Sequence, residues 1–414
     1  MHLYLVPMIF ILIGLAMYTV LGGADFGAGL WELTAGRGSE AKKVRDHAHH
    51  AIGPVWEANH VWLIFVFVVT WTAYPVAFGS IASTLCVPLF IAAVGIIFRG
   101  AAYALRSGAA SATETTRIDT AFALSSILTP FALGTVVGSI AARRVPVGNA
   151  AGNLVTSWAN PVSILIGALA VATGAYLAAV YLSADAVRVG DEWLEREFRI
   201  RALVAGVIAG GLAIAGLVVL HADVRPLFHK LVHLPGLAVL LVSVACGVLT
   251  LGLVLARRYE LARFGAALAV AAIIAAWAVA QEPIILPGLT LARAAAPHDT
   301  LVAVVVAVLA GAALLFPSLA WLFTLVLHGR FDPGPAGAEL PAERGAGDFV
   351  TSSRTGLPAR AAVACAIAGF GLLTLADATW AHAIGVTCLL GFVVLGFVAL
   401  NPTDVGPATR DEIG

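Results

Sequence analysis

A carboxylate, an amide and an imidazole lie close together at Glu57, Asn59 and His60, where a long apolar stretch of the chain begins. On a helix, Glu57 and His60 are three residues apart and share a face, and Trp56 and Trp62 bracket them. A charged side chain at the centre of a membrane costs about 2.5–3.5 kcal/mol on insertion scales. We therefore expect Glu57 to transfer protons for a larger assembly, with the four neighbouring side chains in support.

Two further charged residues lie in or beside apolar stretches. Asp25 stands in the glycine-rich segment 22–29 at the end of the first apolar run, and Arg99 lies near the end of a later run. Arg99 could neutralise Glu57 or Asp25 across a helix bundle, and the two carboxylates could form a pair. Simpler interpretations stay open, because Glu57 could face water in the first turn of a helix and Asp25 could bond to backbone at a helix end.

The composition indicates an all-α integral membrane protein. Of the 414 residues, 60% are hydrophobic and 12% are charged, whereas soluble domains typically carry about 25% charged residues. The apolar runs are long and do not alternate, which favours a polytopic helix bundle over a β-barrel. The net charge is zero, so nothing indicates nucleic-acid binding. The four cysteines are far apart and the histidines form no metal-binding motif, so we predict no metal site.

The apolar runs predict nine spans, followed by an extra pair of spans near the C-terminus. A spanning helix needs roughly 20 apolar residues. We divide the chain into a membrane bundle at 1–328, a Gly- and Pro-rich cytoplasmic loop at 329–359, and an extra helix pair with a short tail at 360–414. The predicted spans are 3–21, 56–79, 81–105, 119–141, 159–183, 200–220, 235–256, 260–281 and 299–327, then 360–376 and 382–400.

The distribution of lysine and arginine predicts how the bundle is oriented. These residues concentrate in the odd-numbered loops between the spans, and cytoplasmic loops carry an excess of positive charge. The odd loops are therefore predicted to be cytoplasmic and the N-terminus outside, so that Glu57 lies near the cytoplasmic end of the second span. The N-terminal run lacks the basic segment and the cleavage pattern of a signal peptide, and we interpret it as the first span.

Three segments in order along the chain resemble subunit II of the cytochrome bd-type quinol oxidases. They are the glycine-rich segment 23–29, the segment 56–63 around Glu57, and the segment 98–100 that contains Arg99. The loop at 283–301 and the long span after it are also similar to that family. Together the resemblance covers most of residues 1–330.

The resemblance implies nine spans, an external N-terminus and a partner, subunit I, which carries two b-type haems, haem d and the quinol site. The complex would lie in a bacterial-type cell membrane, oxidise quinol, and reduce dioxygen to water with cytoplasmic protons. It also implies that Glu57 occupies an acidic position on a proposed proton path, and that Asp25 and Arg99 match residues of the family. Some members bind a structural quinone in this subunit, but no motif assigns its position here, and no haem ligand is expected in this chain.

The chain departs from the family pattern at three places. Glu57 stands where aspartate is common in some members, and His60 replaces an amide. The last approximately 80 residues exceed the usual length, and they would lie either at the periphery or against a small accessory subunit.

Two other functions fit the same residues. A secondary transporter also has many spans and intramembrane carboxylates, and inverted repeats with broken helices would favour it. A purely structural scaffold for the partner subunit would transfer no protons. In that case Glu57→Ala would harm assembly rather than turnover.

Overall fold

The computed structural model describes residues 2–52, 55–106, 112–327, 356–375 and 378–400, and nearly all of them are helical. The chain divides into two compact units, residues 1–318 and 319–414. Helices α1 to α16 are Val6–Met17, Gly23–Thr34, Ser39–Ile52, Val55–Ala73, Pro75–Thr84, Cys86–Arg106, Ala112–Ala141, Pro161–Val189, Glu192–Asp223, Arg225–Val232, Gly236–Leu255, Tyr259–Gln281, Leu291–Ala294, His298–Leu327, Gly356–Leu375 and Thr379–Leu400. Strands β1 (Ile284–Leu286) and β2 (Leu289–Thr290) form an antiparallel hairpin before α13.

Within the described residues, seven helices are long and apolar enough to cross a membrane, or eight if a bent pair is counted as one span. The helical membrane fold predicted from composition is therefore confirmed, whereas the count of nine spans stays a prediction. Helix α4 adds a shorter apolar stretch, Asn59–Ala73. The seven helices are Leu3–Thr34, Ile118–Ala141, Pro161–Val189, Glu192–Asp223, Gly236–Leu255, Tyr259–Gln281 and His298–Leu315.

The first span is longer than the predicted 3–21. A short 3₁₀ turn at Leu3–Leu5, α1, a π-helical turn at Tyr18–Gly22 and α2 follow one another without a break and reach Thr34. The glycine-rich segment does not end the helix, because it is buried against neighbouring helices. Asp25 and Glu32 are buried with it, so these carboxylates lie inside the protein rather than in water at a helix end.

The second predicted span, 56–79, ends early. Helix α4 stops at Ala73, and Tyr74 has a non-helical backbone (φ −137°, ψ 62°) because the residue before a proline is disfavoured in the α conformation. The next helix, α5, is bent by 80° from α6, so α5 and α6 do not form the straight predicted span 81–105. The Tyr74 hydroxyl donates to the carbonyl oxygen of Tyr4 at 2.5 Å, which ties this break to the start of the first span.

Helix α8 is the centre of the first unit, and its residues 174–180 are all buried. It packs against α2, α7, α9 and α12. The backbones of α2 and α8 touch at Gly27 and Gly174, since a Cβ built on Gly27 would overlap the carbonyl of Gly174. Small residues allow this close approach of two membrane helices, and the contact fixes the part of α2 that carries Asp25.

The segment after the first span forms an amphipathic helix, α3. Its residues Ala41, Val44 and Ala48 are buried and follow helical spacing. Val44 and Ala48 belong to a core cluster with Leu182 and Phe198. The charged residues of α3 lie on its other face, so α3 covers one end of α2 and α8.

Asp191 connects α3 to the start of α9. Its carboxylate accepts from the backbone N–H groups of Trp193 and Leu194 at 3.1 and 3.0 Å, which makes it the N-cap of α9. Its other oxygen lies 2.5 Å from the Lys43 ammonium. The hydrogen bond from Lys43, together with that from Leu194, lowers the pKa of Asp191 from its ordinary value of 3.8.

We expect Asp191→Ala to reduce stability by about 1 kcal/mol, the usual cost of losing an N-cap. Because the pKa of Asp191 is lower in the folded protein, its contribution is present above the ordinary pKa and is lost as the pH falls through the folded value. The advantage of the wild type in thermal unfolding should stay constant from about pH 8 to about pH 5 and shrink only at more acidic pH. Asp191→Asn keeps a capping oxygen, so it should lose less stability than Asp191→Ala. Equal losses of stability in the two variants would contradict the assignment of Asp191 as the N-cap of α9.

The C-terminal unit contains the helix pair α15 and α16, which pack against each other where Gly369 meets Leu389 and Gly391 meets Cys365. These helices lie where the sequence predicts spans 360–376 and 382–400. The predicted loop 329–359 lies outside the described residues up to residue 355, and α15 begins at Gly356. The predicted tail after residue 400 also lies outside them.

Candidate functional site

A buried ion pair joins the first span to α6. An Nη2 atom of Arg99 lies 2.5 Å from Oδ1 of Asp25, and the same nitrogen donates to the Asp25 backbone carbonyl at 3.0 Å. Arg99 is 0% exposed and Asp25 is 6% exposed. Of the two partners that the sequence allows for Arg99, the structure therefore shows Asp25. The alternative in which Asp25 is a helix-end residue is wrong, since Asp25 lies within a continuous helix.

Helix α7 completes the surroundings of the guanidinium. Nη1 of Arg99 donates to the hydroxyl of Ser126, which in turn donates to the carbonyl oxygen of Phe122 at 2.7 Å. The guanidinium carbon lies 4.1 Å from the ring centre of Phe122 and 5.0 Å from that of Phe26, within the range of cation–π attraction. One carboxylate, one hydroxyl and two aromatic faces thus hold a single buried cation.

The absence of a side chain at Gly29 makes room for this arrangement. Gly29 lies one turn after Asp25 on α2, and a Cβ there would overlap the Ser126 hydroxyl and lie 3.2 Å from Nη1 of Arg99. The glycine-rich segment therefore does two things in one helix. Gly27 brings α2 against α8, and Gly29 admits the Arg99–Ser126 contact.

Two residues of the second sequence motif lie against the same part of the first span. The Asn59 amide donates to the carbonyl of Leu21 at 3.4 Å, and Asn59 is buried. The His60 ring lies 6.0 Å from the Tyr18 ring and 5.9 Å from the Phe26 ring, measured between centroids. Leu21 belongs to the π-helical turn, a type of irregularity that is frequent at functional sites. The structure thus brings Asn59 and His60 beside the Asp25–Arg99 pair.

The structure describes the other residues of the second sequence motif only in part. Trp56 and Glu57 lie in the first turn of α4, but their side chains lie outside the described residues. Trp62 is half-buried, and its ring packs edge-on against Phe65 at 6.3 Å between centroids. Glu57 therefore keeps its predicted role as a hypothesis, with its backbone one helical turn from His60.

Polar atoms with no hydrogen bond mark the centre of the site. Within the part of the chain that the structure describes, neither Oδ2 of Asp25 nor the hydroxyl of Tyr18 has a hydrogen-bond partner. Both groups are buried, and a buried polar group without a partner is costly. The Oδ2 atom of Asp25 is therefore able to accept a proton or a hydrogen bond from water, and the Tyr18 hydroxyl is able to bond to a water molecule.

The structure also identifies a second buried carboxylate that the sequence analysis missed. Glu32 is 5% exposed, and its Oε1 lies 4.0 Å from Nδ1 of His49 on α3. The available signal was the spacing of seven residues between Asp25 and Glu32, which places both on one helix face. That signal has meaning only if the first helix continues past the glycines, and the hydropathy pattern does not show that it does.

The described residues include no group of three or more His, Cys, Asp or Glu side chains that could hold a metal ion. The histidines nearest to the site have other contacts: His47 bonds to the Leu182 carbonyl at 3.1 Å, His49 lies beside Glu32, and His60 packs on aromatic rings. The carboxyl and imidazole groups of the described site are of the kind that can bind and release protons.

Comparison with known proteins identifies the family. Residues 3–326 match the family model of cytochrome bd terminal oxidase subunit II. The cytochrome bd ubiquinol oxidase subunit 2 of Bacillus subtilis (strain 168) is 28% identical over 114 residues, which are 28% of this chain and 33% of the relative. The match thus spans about a third of the length of that curated relative.

A solved structure agrees with this result. The bd oxidase from Geobacillus thermodenitrificans matches with a TM-score of 0.61 and 26% identity, over 80% of this chain and 100% of the compared chain. The family model covers far more than half of the chain. The resemblance inferred from the three sequence segments is therefore confirmed: the chain belongs to the cytochrome bd terminal oxidase subunit II family.

Proposed function

We propose that this chain is the second subunit of a terminal quinol oxidase, and that it assembles with a haem-bearing subunit I in a bacterial cell membrane. The membership of the subunit II family supports this proposal. The partner supplies the quinol site, the two b-type haems and haem d, where electrons from quinol reduce dioxygen to water. Because subunit I carries the haems in the family to which this chain belongs, we assign the redox chemistry to the partner.

The orientation that we propose places the N-terminus outside and the odd-numbered loops in the cytoplasm, because lysine and arginine concentrate in those loops. Amphipathic helix α3, which follows the first span, then lies at the cytoplasmic surface. The first turn of α4 lies at the same side. Protons for dioxygen reduction would enter the bundle from this side.

This chain contributes a route for protons towards the partner. The observation that supports it is the buried series of contacts from Asp25 through Arg99 to Ser126. Asn59 and His60 pack against the adjacent part of the first span. Glu57 receives a proton at its carboxyl group in the first turn of α4. The next proton acceptor is Asp25, whose Oδ2 atom has no hydrogen-bond partner among the described residues. Arg99 and Ser126 hold the Asp25 carboxylate in place.

We expect Glu57→Gln and Asp25→Asn to lower quinol-driven oxygen consumption by about 10-fold or more, since a positioned acid–base group contributes about 10²–10⁴-fold. Both substitutions keep the side-chain shape and remove the titrating carboxyl group. Turnover of the purified complex is the measurement, and the visible haem spectrum shows whether assembly is intact.

Glu192→Gln is the matched control, because Glu192 is exposed in the first turn of α9, and its turnover should be unchanged. Full turnover in the Glu57 and Asp25 variants, with an intact haem spectrum, would show that the proton route is wrong. Loss of the haem spectrum together with turnover in Glu57→Gln would instead indicate a scaffold role for Glu57.

A further inference from the structure

Glu32 is a buried carboxylate for which the proposed route has no role. It is 5% exposed, at the end of α2 that helix α3 covers. Taking a carboxyl group out of water is costly unless a partner compensates for it. One partner of Glu32 is the imidazole of His49, whose Nδ1 lies 4.0 Å from Oε1 of Glu32. That distance can be bridged by one water molecule or by a small side-chain rotation.

His49 stands between this carboxylate and water. Its neighbour Ala48 is buried in the core cluster under α3, whereas the His49 side chain is 29% exposed. Imidazole is the side chain best suited to exchange protons with water near neutral pH. His49 can therefore take a proton from solvent on one nitrogen and donate a proton to Glu32 from the other.

Glu32 is also aligned with Asp25. The two carboxylates are seven residues apart on α2, which places them on one face with a rise of about 10 Å between them. Gly29 lies between them on that face, and the Ser126 hydroxyl and the Arg99 guanidinium occupy the space beside it. The interval between the two carboxylates thus contains polar groups rather than an apolar side chain.

We propose that His49 and Glu32 form the proton-uptake site at the cytoplasmic end of α2. The inference rests on the proposed oxidase function and adds a starting point to its proton route. The nitrogen of His49 that does not face Glu32 takes a proton from solvent, and the imidazolium formed in this way donates its Nδ1 proton to the Glu32 carboxylate. Glu32 then passes its proton along the α2 face towards Asp25. No electron moves in these steps. One proton is taken from solvent for each proton delivered to Glu32, and a change of tautomer returns the His49 ring to its starting form.

The test uses the purified oxidase complex and measures quinol-driven oxygen consumption with and without added imidazole. We expect His49→Ala to lower turnover by about 10-fold, the low end of the range for a lost acid–base group. Millimolar imidazole should restore much of that rate, because the exposed position of His49 leaves room for a small buffer molecule. A purely structural His49–Glu32 contact would not respond to imidazole.

His47→Ala is the matched control, since His47 lies on the same helix but bonds to the Leu182 carbonyl and packs on Phe198. Its turnover should be near that of the wild type and should not respond to imidazole. Glu32→Gln should lower turnover by about 10-fold or more without rescue by imidazole, and Glu32→Asp should recover part of the rate. The haem spectrum of each variant shows whether the complex is assembled.

The results separate this inference from the function on which it rests. If Glu57→Gln and Asp25→Asn lose turnover while Glu32→Gln keeps it, the uptake site is wrong and the proton route stands. A His49→Ala loss that imidazole does not restore would also overturn the uptake role of His49. If no haem-bearing partner is found, the proposed function itself fails.

Discussion

We expect Arg99→Met to lower the free energy of unfolding by about 3–5 kcal/mol, which is the usual cost of removing one partner from a buried ion pair. The substitution leaves the Asp25 carboxylate buried without its cation, and it also removes the donor to Ser126. The flat contacts of the guanidinium with Phe26 and Phe122 are lost as well. Arg99→Lys should recover only part of this stability, because an ammonium cannot reproduce the planar, multiple hydrogen bonding of the guanidinium.

The measurement is the thermal unfolding of the detergent-solubilised complex, followed by loss of the haem spectrum. The double variant Asp25→Asn with Arg99→Met should be more stable than Arg99→Met alone, because it leaves no buried charge without a partner of opposite charge. This recovery separates the electrostatic cost from a simple packing defect. If the loss of unfolding free energy in the double variant equals the sum of the losses in the two single variants, the ion pair does not explain the burial of Arg99.

The second large effect is expected at Gly27. A Cβ at this position would overlap the backbone carbonyl of Gly174, and a helix backbone cannot give way as a flexible side chain can. Gly27→Ala should therefore push α2 away from α8 and cost about 1–3 kcal/mol, the range for overpacked interiors. Because Asp25 lies on the same turn, the variant should also weaken the contact between Asp25 and Arg99.

Gly23→Ala is a control on the same helix. A Cβ at Gly23 would lie 3.5 Å from the Leu177 side chain and 3.7 Å from Cα of Gly174, which are ordinary van der Waals distances. Its stability should be unchanged or slightly increased, since alanine favours a helix over glycine by about 1 kcal/mol. Equal melting temperatures for Gly27→Ala and the wild type would show that the close approach of α2 and α8 is not required.

The sequence predicted that Arg99 could pair with Asp25 or Glu57, and the structure shows the pair with Asp25. Asp25 and Arg99 were selected because charged groups are costly in apolar stretches. They form an ion pair in the structure, and Asn59 and His60 contact neighbouring residues of the first span. The class of fold follows from the apolar runs. They are long, carry few charges and do not alternate, which is typical of membrane-spanning helices. What the sequence left undecided was the partner of Arg99, because a pattern along one chain does not show which helices face each other.

Two of the errors have a common physical origin. A hydropathy pattern treats each polar residue as a boundary between membrane and water, so it ends the first span before Asp25. The polar residues of α2 are instead buried in protein, where Arg99 and α3 provide partners. The same assumption left the residues between the predicted spans 3–21 and 56–79 in a loop, although Ala41, Val44 and Ala48 form the buried face of helix α3. The break at Tyr74 depends on the local effect of Pro75, which a window of about 20 residues averages out.

The measurement that tests the central claim most directly is purification of the tagged chain in mild detergent, with identification of its partners and a visible spectrum. The oxidase assignment predicts a haem-rich membrane subunit in equimolar amount, with b-type bands and a chlorin-type band in the red. A colourless, monodisperse chain that shows no such partner, even when crosslinked in the membrane before extraction, would contradict the assignment and favour a transporter.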